Sequence, residues 1–537
     1  VFWGYDNKVQ RLYNRKANQQ LTLTIEDAES DTAMSEEASH WFSKKTGMIS
    51  PEYRHQEDPH NDFNYERLIY HMLSKEGPAL SVKDINGDGL DDFYIGGASG
   101  KAGRLYVQDQ RGNFREVPQA AFQEDSLFED VDALLFDADQ DGDEDLYVVS
   151  GGNHLRQGSR GYEDRLYLLE STAGGKPVYQ RSERALPQNM EMGSCVRSAD
   201  YDGDGDLDLF VGTRAIPQNY GLPATSHIYE NQGDGTFEDV TLSVSPRLNK
   251  LGMVTDARWV DFDNDEDLDL VVVGDWMPIT LFKNNGANLE RLNNVPGLTG
   301  TEGWWKSLSI SDVNQDGELD FIIGNWGRNT RFEATPDKPL SLYVGDFDDN
   351  KTLDHIYAYY NGDSLYPMAL RHEMLAQLNF LKKRYQYYEE YAGSSVQQML
   401  GEEKLSRALL NQVRMLESVV VLNNGDGSYT VNALPQEVQY APVFSIQAND
   451  INQDGVEEFI MAGNFSGVKP EEGRYDANSG LIMQFGKEGT KIIPYADTGL
   501  QIEGEARQVA IARAADGKKV LIVAKNNDYP EFYEYSK

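Results

Sequence analysis

Cysteine is nearly absent from the 537 residues: Cys195 stands alone, which excludes an internal disulfide framework. It lies in the apolar run before Asp200 and reads as a buried structural thiol. Long apolar runs are missing as well, and no stretch approaches the roughly 18 residues that a membrane-spanning helix needs. Basic residues are scarce, 49 Lys and Arg against 88 Asp and Glu, for a net charge of −39. That balance argues against nucleic-acid recognition, because phosphate contacts need a basic face. The first residue is Val1, and no signal peptide follows it. The expectation is a processed piece of a longer protein whose export signal lies elsewhere.

Catalytic signatures are missing too. His372-Glu373 lacks the second histidine of a zinc-protease motif, since Ala376 occupies that position. Gly100-Lys101 lacks both the upstream glycine of a phosphate loop, replaced by Ile95, and the following Ser or Thr. No G-x-S-x-G elbow leads from a strand into a helix.

Present instead is one short acidic pattern, many times over. Residues 84–92 read D-I-N-G-D-G-L-D-D, with Asp84, Asn86, Asp88 and Asp92 at positions 1, 3, 5 and 9 and Gly89 at position 6. Alternate side chains of a tight turn converge on one centre, and hard cations such as Ca²⁺ take six to eight oxygen ligands. The pattern returns at Asp137, Asp139, Asp141 and Asp145, and at Asp200, Asp202, Asp204 and Asp208. It returns again at Asp261, Asp263, Asp265 and Asp269, and at Asp312, Asn314, Asp316 and Asp320. A weaker copy, with Lys351 in place of the glycine, is Asp346, Asp348, Asn350 and Asp354. The last is Asp450, Asn452, Asp454 and Glu458. These seven loops hold 33 of the 88 acidic residues, so much of the charge is a metal requirement, with about seven Ca²⁺ sites expected.

The loops are not EF-hands. Position 12 is Ile95 in the first copy and Val148 in the second, where an EF-hand needs a bidentate Glu. Their flanks read as strands: Ala79-Leu80-Ser81-Val82 enters the first loop and Phe93-Tyr94-Ile95 leaves it. A second hairpin follows, as where Ile228-Tyr229-Glu230 turns at Gly233-Asp234-Gly235 into Phe237. Four strands per repeat of about 50–60 residues predict an all-β propeller, whose blades stack in a ring to bury their faces. The chain divides into residues 1–25, a hairpin and strand; 26–65, a polar linker; and 66–537, the propeller. Loop starts are spaced 53, 63, 61, 51, 34 and 104 residues apart, which predicts a reduced fifth blade and an insertion in the sixth. The insertion, 368–418, carries Met374, Leu378 and Leu381, then Leu405, Leu409 and Leu416, at helical spacing. A last blade, without a metal loop and one strand short, ends the chain. A strand from the N-terminal side would complete it. The count is eight blades, with seven as the alternative if the Asp346 copy is not a blade of its own.

The strand, D-x-[DN]-x-D-G-x-x-[DE], strand unit resembles FG-GAP/VCBS repeats, the blades of integrin-α-like propellers, over about residues 66–537. Trp3, Gln10, Leu12 and Ala17-Asn18-Gln19-Gln20-Leu21-Thr22-Leu23 resemble the end of an ASPIC/UnbV module. Gly193-Ser194-Cys195-Val196-Arg197, Leu251-Gly252-Met253-Val254-Thr255-Asp256 and Gly324-Asn325-Trp326-Gly327 are similar to surface lipoproteins of Bacteroidetes, relatives of the cartilage acidic protein family. The resemblance implies an exported, calcium-loaded propeller on the outer-membrane surface, and it implies no reaction.

All seven loops are expected on one face of the ring, and the exit strands then run to the other. There stand Asn153-His154, Arg214, Trp276, Asn325-Trp326 with Arg328, and Asn464-Phe465, joined by Trp304 and Trp305. Aromatic platforms beside amides and arginine suit a glycan or a protein segment. The competing reading packs Trp276 and Trp326 between blades and gives the asparagines to turn backbones. The functional expectation is a non-catalytic, calcium-stabilised surface propeller that binds a glycan or protein partner, as an accessory to an outer-membrane assembly. Two alternatives stand beside it: a polysaccharide lyase or glycosidase with its site in the axial depression, and a structural subunit docking through the helical insertion.

Overall fold

The computed structural model describes residues 40–535 apart from 173, 175, 287, 487 and 488, with scattered positions before residue 40. Each repeat is an antiparallel four-stranded meander. In the first, Leu80–Lys83 pairs with Asp92–Ile95 in the register Leu80↔Ile95 and Lys83↔Asp92, so the metal loop is the connection between them. The strand leaving each loop is apolar almost throughout because it is covered on both faces. Asp145–Ser150, Asp208–Ala215 and Asp269–Met277 are buried at every position. The fourth strands, such as Phe114–Glu116 and Phe237–Asp239, bury one aromatic and turn their polar residues outward. Two-sided burial and one-sided burial thus leave continuous and broken apolar patterns respectively.

Seven such sheets close a ring. Their inner strands are Leu80–Lys83, Asp130–Phe136, Met192–Ala199, Met253–Val260, Ser307–Ser311, Val443–Asn449 and Glu505–Arg513. Each packs against the next, and the last packs against the first. An apolar cluster fills every gap between neighbours, and Phe93 and Phe114 meeting Ile522 and Phe532 fill the closing one. Each fully buried Leu, Ile or Phe there contributes about 1.5–3 kcal/mol.

The count of eight is therefore corrected to seven. The Asp346 loop joins Leu340–Gly345 to Asp354–Asn361, in a sheet completed by Ser364–Pro367 and Leu409–Val413. That sheet lies outside the ring. It is inserted between the second and third strands of the fifth blade, Asp320–Gly324 and Val419–Asn423, which pair directly through Phe321↔Val421. The expected insertion at 368–418 is only its second part. Arg371–Gln377, Tyr388–Ala392, Val396–Leu400 and Glu402–Arg407 are helices, and they pack on Phe347, Ile356 and Ala358 of the inserted sheet.

The linker at 26–65 is also corrected, from Trp41 onward. Phe42–Lys45 pairs with Glu531–Tyr535 and supplies the missing fourth strand of the last blade. Ile49–Ser50 runs parallel to Phe114–Glu116, and Tyr53, His55 and Asp62 are buried. The residues carrying the ASPIC/UnbV resemblance lie almost wholly outside the described residues.

Candidate metal loops and axial pocket

Every loop is wound by its own carboxylates. In the first, Asp84 accepts from the backbone N–H of Asp88 (3.1 Å) and Gly89 (2.8 Å), and Asn86 accepts from Asp88 (2.9 Å). Asp92 anchors the far side, accepting from Ile85 (3.2 Å) and from Gln108 on the third strand (2.8 Å). The same bonds recur in the fifth loop, where Asp312 accepts from Asp316 and Gly317 and Asp320 from Val313 and Asn423. Position 6 requires positive φ: Gly89 sits at 87° and Gly317 at 95°. Glu266 takes that place in the fourth loop at 73°, and Lys351 in the inserted sheet at 69°, both strained for a side-chain-bearing residue.

The ring carries six of the expected loops, since the Asp346 loop stands apart in the inserted sheet. Oxygen atoms of Asp137, Asp139 and Asp145 lie within 4.8 Å of one another, as do those of Asp200, Asp202 and Asp208. Asp261, Asp263 and Asp265 form a third group, and Asp346, Asp348 and Asp354 a fourth. At Asp261 the cluster is already engaged by a cation: the Lys283 ammonium contacts Asp263 and reaches Asp265 at 2.9 Å. Burial pushes Asp92, Asp145 and Asp269 up to about 7 and Asp208 up to about 8, against the backbone N–H groups that favour the carboxylates. Asp208 Oδ2 and Asp137 Oδ1 are buried without a hydrogen-bond partner among the described residues. All-oxygen donor sets with orphaned buried carboxylate atoms fit a hard divalent cation.

The opposite end of the ring differs from expectation. The exit strands do bring the singled-out residues together there, but they point into a core. Trp276, Trp304, Trp326 and Phe465 are buried with Tyr70, Phe332 and Tyr357 and with Leu340, Leu342 and Val344 of the inserted sheet. Trp276 donates to Tyr220 Oη (2.9 Å), and Trp305 to the carbonyls of Met277 and Thr301. Asn153 donates to Glu66 (2.7 Å), Asn325 accepts from Trp304 N–H (3.1 Å), and Asn464 donates to the Asn478 carbonyl (2.6 Å). Arg214 is clamped by Glu76 and Asp275. Only Arg328 is exposed, while His154 is half-buried beside His60. The inserted sheet and the 62–75 segment cover this face, so it is a packing interface rather than an open ligand platform.

A further cluster, which the loop motif does not mark, lies on the axis. The inner strands surround a pocket of about 260 Å³. Arg197 bridges Asp132 (2.6 Å) and Asp256 (2.5 Å) across it, and Arg258 joins Asp256 (2.6 Å). Gln508 reaches Asp132 from the last blade (2.7 Å), tying distant repeats together.

Four tandem matches to the FG-GAP-like repeat family cover residues 84–148, 137–211, 200–272 and 261–323. Residues 84–323 are thus four tandem FG-GAP-like repeats, and the ring of sheets that contains them is a β-propeller. A curated relative, integrin alpha-5 of Xenopus laevis, is 31% identical over 197 residues, covering 33% of this chain and 17% of that protein, so the match spans about a sixth of the relative's length. Among solved structures, the V. cholerae biofilm matrix protein Bap1 aligns at 10% identity over 93% of this chain and 91% of its own, with a TM-score of 0.38. Saccharomyces cerevisiae Sqt1 aligns at 10% identity over 88% and 100%, with a TM-score of 0.40.

Each matched FG-GAP-like unit begins at one candidate metal loop and ends on the exit strand after the next. Aligned on their loops, the repeats carry a signal for the axial lattice. Arg197 and Arg258 both stand three residues before a loop start, and Asp132 and Asp256 both stand five before. Charged residues at matching offsets within otherwise apolar strands mark side chains that face the axis.

Proposed function

We propose that this FG-GAP propeller is a non-catalytic binding module whose loops hold Ca²⁺ and which works on the outer surface of a cell, with a glycan or a protein as its partner. The observation carrying this reading is the repeated all-oxygen loop, with partnerless buried carboxylate atoms, on one face of a ring whose other face is covered. The ligands would be Asp84, Asn86, Asp88 and Asp92 in the first loop and their equivalents in the others. A bound ion would tie the two strands of each blade's inner hairpin and neutralise carboxylates that otherwise repel one another. With the opposite end sealed, the surfaces left for a partner are the loop face and the flank of the inserted unit. Exposed Tyr387, Tyr388 and Phe380 on that flank are compatible with docking through the insertion.

The test is thermal unfolding of chelator-stripped protein titrated separately with Ca²⁺ and Mg²⁺. Saturable stabilisation by Ca²⁺, well beyond that by Mg²⁺, is the expected result. No shift, with no metal retained by elemental analysis, would return the loops to solvated turns.

A further inference from the structure

The axial pocket is built of hydrogen-bond donors. Arg197, Arg214, Arg258, Lys306 and Arg507 line it, answered by Glu76, Asp132 and Asp256. Asp275 and Glu505 pair with Arg214, Lys306 and Arg507 from behind the wall, so five carboxylates answer the five cations. The far end is shut: Lys306 Nζ donates to Asp275 (2.8 Å) and stands 5.4 Å over the Trp326 ring, beneath which lies the covered aromatic core. The partly exposed lining residues Arg197, Arg258 and Gln447 lie toward the loop ends of the inner strands, so the mouth opens on the metal-loop face.

Among the described residues, two donors in the pocket lack partners. Arg214 is held by Glu76 through Nε (2.9 and 3.1 Å) and by Asp275 through Nη2 (2.7 Å), but its Nη1 is buried with nothing to bond. Its side chain is only 3% exposed. Ser194 Oγ is also buried without a partner. It sits on the bulge where Gly193 pairs Thr213 and Cys195 pairs Gly212, one strand position from Arg214. Nearer the mouth, both protein hydrogen bonds of Arg258 leave from Nη1, and its side chain is 32% exposed. A buried guanidinium N–H without an acceptor is costly, and a planar carboxylate satisfies that edge best.

We propose that the axial pocket binds a small carboxylate, held by Arg214 Nη1 and Ser194 Oγ at the floor and by the free edge of Arg258 at the mouth. A volume of about 260 Å³ admits one acidic sugar ring or a small organic acid. The site deepens the binding role proposed above and rests on it, but its residues are separate from the metal loops, so the two fail independently.

The experiment is calorimetric titration of the 537-residue chain in Ca²⁺ with glucuronate, glucose and acetate at matched ionic strength. Saturable binding of glucuronate and acetate, with none of glucose, is expected. Tighter glucuronate binding makes the source an acidic sugar, whereas equal affinities make it a free acid. Arg258→Gln, at the partly exposed mouth, is expected to fold normally and weaken binding at least tenfold. Ser194→Ala is expected to weaken it severalfold. Failure of both carboxylates to bind a protein that does respond to Ca²⁺ overturns the site while leaving the metal reading intact. Binding unchanged in both variants overturns its location.

Discussion

His71 shows what a single residue must give up to lie in this core. Its ring packs 4.0 Å from that of Trp326 and 4.9 Å from that of Trp304, and among the described residues no acceptor or donor meets Nε2. Burial, then the Lys306 ammonium, pulls its pKa down to about 3, with Asp275 opposing and Arg214 adding to the fall. His55 is buried and held neutral in the same way, at about 3. A folded pKa below the unfolded one means that the unfolded chain takes a proton the native chain refuses. The stability is whole above about pH 6.5 and is lost as pH falls toward 3, roughly tenfold in the folding equilibrium per pH unit for each such histidine. His71→Phe, which keeps the aromatic packing, should flatten the pH dependence of calcium-loaded unfolding by one proton between pH 6 and 4. An unchanged slope would mean that the histidine is charged in the native state.

At the scale of elements, the metal loops and their flanking strands are legible in the sequence because both are local. A turn ligand and its period are written within nine residues, and two-sided burial writes the exit strand as an apolar run. The destination of Trp276, Trp304 and Trp326 is not legible by the same means. Strand direction places them at one end of the ring, but what covers that end comes from the inserted sheet and residues 62–75, far off in sequence. The insertion misled for a related reason: the Asp346 loop keeps the spacing of a blade loop although its sheet pairs only with itself. The cover itself is testable. Leu342 is fully buried against the tryptophan cluster, so Leu342→Asp places an unpaired charge there and should lift the inserted sheet from the ring. Tryptophan emission should shift to the red while the Ca²⁺-dependent stabilisation of the ring persists. Loss of both together would make cover and ring one cooperative unit.

For the whole molecule the decisive contact is the one that closes the circle. The blades meet through their faces, and the outermost strand of the last one comes from the other end of the chain, which ties the two ends of the ring together. Phe42 fixes that strand: it is buried, its ring lies 5.0 Å from Tyr535, and its backbone pairs with Tyr535 at the register's end. Phe42→Ala should cost about 3–5 kcal/mol as a cavity in a packed core. Because the strand joins residues nearly the whole chain apart, the loss should act on global unfolding rather than fray one edge. Denaturant unfolding should keep a single transition at a lower midpoint, and native-state proteolysis should begin near residues 40–50. A midpoint equal to that of the parent would mean that the seventh blade is stable with three strands and that Phe42–Lys45 only decorates its edge.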